Sequence, residues 1–149
     1  MILAVCKGNE DDTLTVFTCL IEDTSFGDYF ERDKNFEALH ADTKKLDDLL
    51  IEHDETLAKH LKQMQFDLVS ITPTWLLTCF FLQIGPEKAV MVLDQVLKSG
   101  NSARHVLVNH AVSLLLEART ELLECSDVED IFFILKGKKK EEERMIIPE

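Results

Sequence analysis

Residues 71–100 read ITPTWLLTCFFLQIGPEKAVMVLDQVLKSG, and this stretch decides the fold. Almost every residue from Trp75 to Ile84 is apolar, so a helix formed here has no polar face left for solvent. Such a helix, about ten residues long, is typical of the centre of a bundle and is too short to span a bilayer. Thr72 is a good N-cap, and Pro73 suits the first helical position.

The second half of this stretch predicts another helix, antiparallel to the first. Gly85-Pro86 ends one helix and starts the next. Apolar residues then recur at helical spacing and define one wide face: Ala89, Val92, Leu93, Val96 and Leu97. Gly100 closes the helix as a residue able to adopt a positive φ. The stretch is therefore predicted to form a helical hairpin in the core.

The composition favours one helical domain. The chain has 149 residues, 46% of them hydrophobic, with only five Gly and three Pro. No stretch alternates with period two, so we predict an all-α bundle of about seven to nine helices. The net charge of −12 argues against nucleic acid or an anionic membrane surface as a partner. Solvated acidic helix faces account for this charge equally well.

Neither the cysteines nor the histidines form a recognisable site. Cys6, Cys19, Cys79 and Cys125 stand singly, as expected of reduced thiols rather than of a disulfide framework or a zinc site. The five histidines lack the spacing of a helical chelate such as H-E-x-x-H. We expect no metal and no cofactor. The N-terminus has no basic segment before its apolar run and does not resemble a signal peptide.

The rest of the chain predicts further helices and one aromatic loop. The stripe of the first helix consists of Val16, Phe17, Leu20 and Ile21. Four aromatic residues in the loop 25–36 are expected to pack onto the core: Phe26, Tyr29, Phe30 and Phe36.

Polar residues mark the later helix boundaries. Asp42 is predicted to begin one helix, Asp54 or Thr56 to cap the next, and Asn101 or Ser102 to cap a long one. Residues 126–129 read SDVE and suggest a capping box before a helix that stops at Gly137. We expect one domain over residues 1–135 and a charged tail over residues 136–149.

The order of these elements resembles the C-terminal half of a TBC domain, the helical module of Rab GTPase-activating proteins. The resemblance covers about 120 residues and rests on stretches in the family's order: Glu10 to Phe17, Tyr29-Phe30, Leu57 to Leu61 with the pattern L-x-x-H-L, Trp75 to Phe81, and Val90 to Asp94 followed by Gly100. In the last motif, Met91 and Leu93 replace the family's Arg and Trp. The resemblance implies that His60, Trp75, Asp94 and Gly100 hold structural positions.

The resemblance also implies a catalytic mechanism whose residues are missing here. The family supplies an Arg from I-x-x-D-x-x-R, which neutralises charge on the phosphoryl group, and a Gln from Y-x-Q-G, which orients water. No Ile in this chain has Asp at +3 and Arg at +6. Tyr29, the one tyrosine, is followed at +2 by Glu31. We therefore expect no catalytic residues, and none of the chain's arginines lies in a finger motif.

Three hypotheses follow. The first is a fragment of a Rab GTPase-activating protein that regulates small GTPases and vesicle traffic, cytoplasmic or peripheral to endomembranes, without GTPase-activating catalysis of its own. The second is a non-catalytic helical interaction or scaffold module. The third is an unrelated helical enzyme, which requires a pocket with converging titratable groups. The expected partners of the first are a Rab GTPase and the N-terminal half of the domain; no integral membrane segment is predicted.

Residues 1–6 resemble the end of an apolar helix whose beginning is missing. In the resembled family the N-terminal half packs along this half. We therefore expect apolar faces that need a cover, and a chain that is molten or aggregation-prone when expressed alone.

Overall fold

The structure, a computed structural model, describes residue 2 and residues 6–137. Within this part of the chain all regular structure is helical, which confirms the predicted all-α class. Nine α-helices lie within residues 6–137: α1 (Glu10–Glu22), α2 (Glu37–His53), α3 (Glu55–Gln63), α4 (Thr72–Leu77), α5 (Phe81–Ile84), α6 (Pro86–Ser99), α7 (Ala103–Glu117), α8 (Arg119–Glu124) and α9 (Val128–Leu135). Short 3₁₀ helices occupy Ser25–Phe30, Arg32–Lys34, Leu68–Ser70 and Gly100–Ser102.

Helix α7 lies at the centre of the bundle. It packs against α2, α4, α6 and the 3₁₀ helix Ser25–Phe30. Its buried residues lie on more than one face: Ala103, Leu107, Val108, Ala111, Val112 and Leu115. A helix that is apolar on several sides needs neighbours all round, and α7 has them. The predicted cap at its N-terminus is placed correctly at Ser102, but the Ser102 side chain makes no capping hydrogen bond.

The predicted hairpin is present, but its first helix is broken. α4 ends at Leu77, and Cys79 and Phe80 adopt positive φ angles of 47° and 62°. The Phe80 N–H donates to the Trp75 carbonyl at 2.9 Å, and the Cys79 N–H to the Leu76 carbonyl at 3.4 Å. This is the Schellman arrangement, formed here without glycine. The prediction of a single helix from Trp75 to Ile84 is therefore wrong. The break allows Trp75 and Phe80 to be buried together, with their ring centroids 6.0 Å apart.

The second helix of the hairpin agrees with its prediction. α6 begins at Pro86 after Gly85, whose φ is 80°, and it buries Ala89, Val92, Leu93 and Val96. Gly100 follows with φ 49°, as expected. The N-cap of α4, however, is Ile71 and not Thr72. Thr72 is already helical, and its hydroxyl donates to the Leu68 carbonyl at 2.7 Å.

Of the other predicted helix boundaries, two differ from the structure and one is confirmed, while the predictions for the two ends of the chain lie largely beyond the described residues. α2 begins at Glu37, five residues before the predicted start at Asp42, after Phe36 in a left-handed conformation. α9 is capped by Asp127, which accepts from the N–H groups of Glu129 and Asp130, and not by a Ser126 capping box. The cap predicted at Asp54 is confirmed, since its carboxylate accepts from the Leu57 N–H at 3.0 Å. The prediction for residues 1–6 falls largely outside the described part, as does the tail from residue 138.

The aromatic loop contains the 3₁₀ helix Ser25–Phe30, and only two of its four aromatic side chains are buried. Phe26 and Tyr29 lie in the core, with ring centroids 5.6 Å apart. Phe30 and Phe36 are 45% and 51% exposed, so the expectation that all four rings fill the core is wrong for these two. A 3₁₀ helix has three residues per turn, which directs Phe26 and Tyr29 to the same side.

Candidate functional site

A cluster of charged side chains joins three elements that are distant in sequence. Arg104, near the start of α7, reaches Asp42 in the middle of α2 and Asp28 in the 3₁₀ helix Ser25–Phe30. Asp42 lies on the apolar stripe of α2 and is buried among its leucines. In the sequence, Arg104 is 62 positions from Asp42 and 76 positions from Asp28.

The Arg104 guanidinium is almost fully engaged. Its Nε donates to Asp42 Oδ2 at 2.7 Å and its Nη2 to Asp42 Oδ1 at 3.0 Å, a bidentate pair. Nη1 donates to Asp28 Oδ2 at 2.9 Å, and Nη2 also donates to the Ala38 carbonyl at 3.2 Å. Hydrogen bonds to Asp42, and then to Asp28, raise the pKa of Arg104 further above its already high value. Each of the three guanidinium nitrogens therefore already donates to a carboxylate.

Tyr29 completes the cluster. Its hydroxyl donates to Asp42 Oδ2 at 2.7 Å, and its ring lies 5.6 Å from the Arg104 guanidinium carbon. Burial first, and then the Asp42 carboxylate, raise the pKa of Tyr29 well above its usual range. The phenol therefore remains protonated and acts as a donor. The cluster is a partly buried ion-pair network in which Tyr29 and Arg104 both donate to Asp42.

The 3₁₀ segment also supplies the cap that α7 lacks. The Arg104 N–H donates to Ser25 Oγ at 3.2 Å, and this hydroxyl lies 3.5 Å from the Gly100 carbonyl, to which it donates. A helix N-terminus has unsatisfied N–H groups, and here one is bound by a residue from another element. The cluster and this cap together fix the 3₁₀ segment on α7.

A second arginine, Arg119, is paired with Asp54 at the junction of α2 and α3. The Leu57 N–H and then Arg119 lower the pKa of Asp54. Because the pKa is lower in the folded state, this carboxylate contributes stability above its unfolded pKa, and the contribution is lost as pH falls through the folded pKa. Both arginines whose side chains are described, Arg104 and Arg119, are thus bound to carboxylates.

The structure places the four motif residues apart from one another. Trp75 is 1% exposed, in agreement with the expected core position. His60 lies on α3, half-buried, and its Nε2 has no hydrogen-bond partner among the described residues. Gly100 lies at the end of α6, and Asp94 on the outer face of that helix. They do not converge on a site.

Asp94 binds a basic side chain but is not buried. Its carboxylate accepts from Lys98 Nζ at 2.6 Å, and the two side chains are 56% and 74% exposed. An exposed pair one helical turn apart contributes little.

We expect Asp94→Asn to change the free energy of unfolding by less than about 0.5 kcal/mol, because both side chains are exposed and the Lys98 charge remains solvated without its partner. Urea unfolding at neutral pH measures this. Glu87→Gln on the same helix is the control. A loss of 2 kcal/mol or more for Asp94→Asn, without a similar loss for the control, contradicts a surface role for Asp94.

Two further side chains in the described part of the chain have shifted pKa values. Burial raises the pKa of the Cys79 thiol to about 12, which disfavours the reactive thiolate. Burial also lowers the pKa of His110, whose Nε2 lies 2.9 Å from Gln95 Oε1. Within residues 6–137, no group of three His, Cys, Asp or Glu side chains could hold a metal. No helix in this part of the chain is long and apolar enough to cross a membrane.

The outer face of α1 is the clearest unpartnered helical surface. Of its 13 residues only Leu20 is buried. Leu14 and Phe17 are 65% and 47% exposed, although Phe17 was expected to pack inward. Their spacing places them on one face of the helix. An adjoining pair of exposed apolar side chains on a helix suggests a contact surface.

Comparison with known proteins gives one finding. The family model described as Rab-GTPase-TBC domain matches residues 1–123. Searches of curated proteins and of solved structures give no significant match. The family match covers most of the 149 residues, and the all-α architecture agrees with it. The chain belongs to the Rab-GTPase-TBC domain family.

Proposed function

We propose that this chain acts on Rab-type small GTPases, as a regulator of vesicle traffic in the cytoplasm or at the surface of endomembranes, and does not itself accelerate GTP hydrolysis. Family membership supports the Rab partner. The single observation that carries the non-catalytic half is the state of the arginines. An arginine finger must leave its guanidinium free for the transferring phosphoryl group, and the Arg104 guanidinium is bound by two carboxylates and a carbonyl.

The sequence supports the same conclusion. It contains neither the I-x-x-D-x-x-R nor the Y-x-Q-G pattern that the family's mechanism uses. An arginine finger contributes about 10³–10⁵ to the rate, so a domain without one loses nearly all of its catalysis.

We further propose that the outer face of α1 receives a segment resembling the N-terminal half of a TBC domain, on the same or another polypeptide. Leu14 and Phe17 supply the apolar contact, and Glu10, Asp11 and Asp12 supply a charged rim at the start of the helix. Such an arrangement, with an apolar centre and a polar rim, is typical of protein interfaces.

A binding assay tests the Rab partner. The full chain is immobilised and exposed to a panel of Rab GTPases loaded with a non-hydrolysable GTP analogue or with GDP. We expect at least one Rab to bind with a Kd below about 100 µM, and more tightly in the GTP form. If no Rab binds and a helical protein partner does, the chain is instead a non-catalytic interaction module, which is the second hypothesis.

A further inference from the structure

A groove is lined by α2, by α3 and by the segment 65–69 that follows α3. Its volume is about 680 Å³. Along α2 the lining extends from His40 to Ile51, which at the helical rise per residue is a span of roughly 16 Å. The groove is therefore long enough for about three turns of a helix, the length at which one protein recognises a helical segment of another.

Part of the lining is apolar. Leu50, Leu61 and Phe66 line the groove and are buried in the core. Ile51 on α2 and Val69 on the 3₁₀ helix Leu68–Ser70 also line it, and each is 48% exposed. Large apolar side chains that remain exposed in a groove of this size mark a binding surface.

The segment 65–69 is held in place by its own contacts. The Phe66 N–H donates to the Leu61 carbonyl at 2.9 Å, and the Phe66 ring packs against Phe132 of α9 with centroids 4.9 Å apart. The Asp67 carboxylate accepts from the Val69 N–H at 2.9 Å. An ordered turn therefore presents Val69 at the surface, and this side of the groove is formed before any partner binds.

The charge of the groove differs from that of the chain. The chain has 28 acidic and 16 basic residues and a net charge of −12. The charged residues of the lining instead balance, with Lys44, Lys59 and Lys62 against Asp47, Glu55 and Asp67. The groove is thus a neutral surface on an acidic protein, and it repels an acidic partner less than the rest of the surface does.

The lysines of the groove are not all engaged. Lys59 pairs with Glu55 at 2.8 Å, so these two charges offset each other. Lys44 and Lys62 are exposed, and neither forms an ion pair with a residue that the structure describes. One lysine lies on α2 and the other on α3, so both helices offer a free ammonium group to an occupant.

We propose that this groove binds an acidic amphipathic helix of a partner protein. Apolar side chains on one face of that helix cover Ile51 and Val69, and its carboxylates pair with Lys44 and Lys62. An apolar centre with a charged rim is the usual arrangement of such an interface. None of the residues that line the groove belongs to α1, and the inference is independent of the proposed action on Rab GTPases.

Peptide binding to the full chain, measured by fluorescence anisotropy, tests this proposal. The probe is a labelled helical peptide of about 14 residues, roughly 21 Å long, with leucine along one face and glutamate elsewhere. One comparison peptide has alanine in place of each leucine, and a second has lysine in place of each glutamate. The groove variant carries Lys44→Glu and Lys62→Glu.

The matched control carries Lys7→Glu and Lys88→Glu. These lysines are exposed, lie outside the groove, and their substitution changes the net charge by the same amount. A second pair of variants compares Ile51→Ser in the groove with Leu14→Ser on α1, both of which replace an exposed apolar side chain. Circular dichroism verifies that the helices of each variant are intact.

We expect the groove variant to bind the leucine–glutamate peptide at least about tenfold more weakly than the unmodified chain, and the control to bind it within about twofold. Ile51→Ser weakens binding and Leu14→Ser does not. The alanine and lysine peptides both bind at least about tenfold more weakly than the probe.

Absence of binding to the unmodified chain, or equal losses for the groove variant and its control, would overturn the proposal. A loss for Leu14→Ser alone would also overturn it, since that result assigns the peptide to α1. Equal binding of the alanine or the lysine peptide would do the same, because the apolar contact or the lysines would then have no part in recognition.

Discussion

Replacing Trp75 by alanine lowers the free energy of unfolding by about 3–5 kcal/mol. Trp75 is 1% exposed, and its ring packs against Phe80 at the break between α4 and α5. Truncation removes the largest buried side chain and leaves a cavity that the Schellman turn cannot close without moving its backbone. Because domains of this kind are stable by only about 5–15 kcal/mol, the loss amounts to between about a fifth and all of the free energy of unfolding.

Equilibrium unfolding in urea measures this loss. Met91→Ala is the matched control, since Met91 lies on the same hairpin but is 65% exposed. Its expected cost is within about 0.5 kcal/mol, as for most surface substitutions. A Trp75→Ala variant with the stability of Met91→Ala contradicts the placement of this residue in the core.

Replacing Arg104 by methionine lowers the free energy of unfolding by about 3 kcal/mol. The substitution preserves most of the side-chain length but leaves the Asp42 carboxylate without its bidentate partner. Asp42 is 9% exposed and Arg104 24%, so most of the charge left behind is removed from water. Breaking one partner of a buried ion pair is costly for this reason, whereas a surface pair of the same residues contributes little.

Arg119→Met is the control for this prediction. Arg119 is 46% exposed, and its partner Asp54, although only 11% exposed, keeps the hydrogen bond from the Leu57 N–H after the substitution. The expected loss is at most about 1 kcal/mol. Equal losses for the two variants would show that the Arg104 cluster stabilises the fold no more than the simpler pair of Arg119 and Asp54 does. The double variant Arg104→Met with Asp42→Leu is expected to recover part of the stability, because no buried charge is left unpaired.

Locally determined features of the fold could be predicted from the sequence. Gly85-Pro86 marks a helix boundary in any context, and the apolar face from Ala89 to Val96 has the period of a helix. The cap at Asp54 is equally local, because the accepting carboxylate and the donating N–H are three residues apart. The family resemblance, which the match over residues 1–123 confirms, depends on several such features in order.

Features that depend on tertiary contacts were missed. The break after Leu77 contains no glycine, so no residue in the sequence predicts the turn. It can be explained only from the structure, in which Trp75 and Phe80 are both buried. The Arg104 cluster joins residues at least 62 positions apart, which no short pattern reports. One signal was nevertheless present.

Asp42 occupies the apolar stripe of α2 together with Leu39, Leu46 and Leu50, at spacings of three, four and eight residues. A carboxylate on such a stripe must have a partner, because an unpaired buried charge is very costly. Its interpretation as the start of a helix overlooked this. The partner's identity, however, could not be predicted, since several basic residues in the chain were available.

Single-turnover GTP hydrolysis on a panel of Rab GTPases, with and without the full chain, tests the central claim most directly. We predict that GTP hydrolysis by every Rab, including those that bind, proceeds at the same rate with the chain as without it. The reason is that the described arginines are held by carboxylates and the sequence lacks the finger motifs. An acceleration of a hundredfold or more on any Rab, abolished by substituting one arginine or glutamine of this chain, would contradict the account.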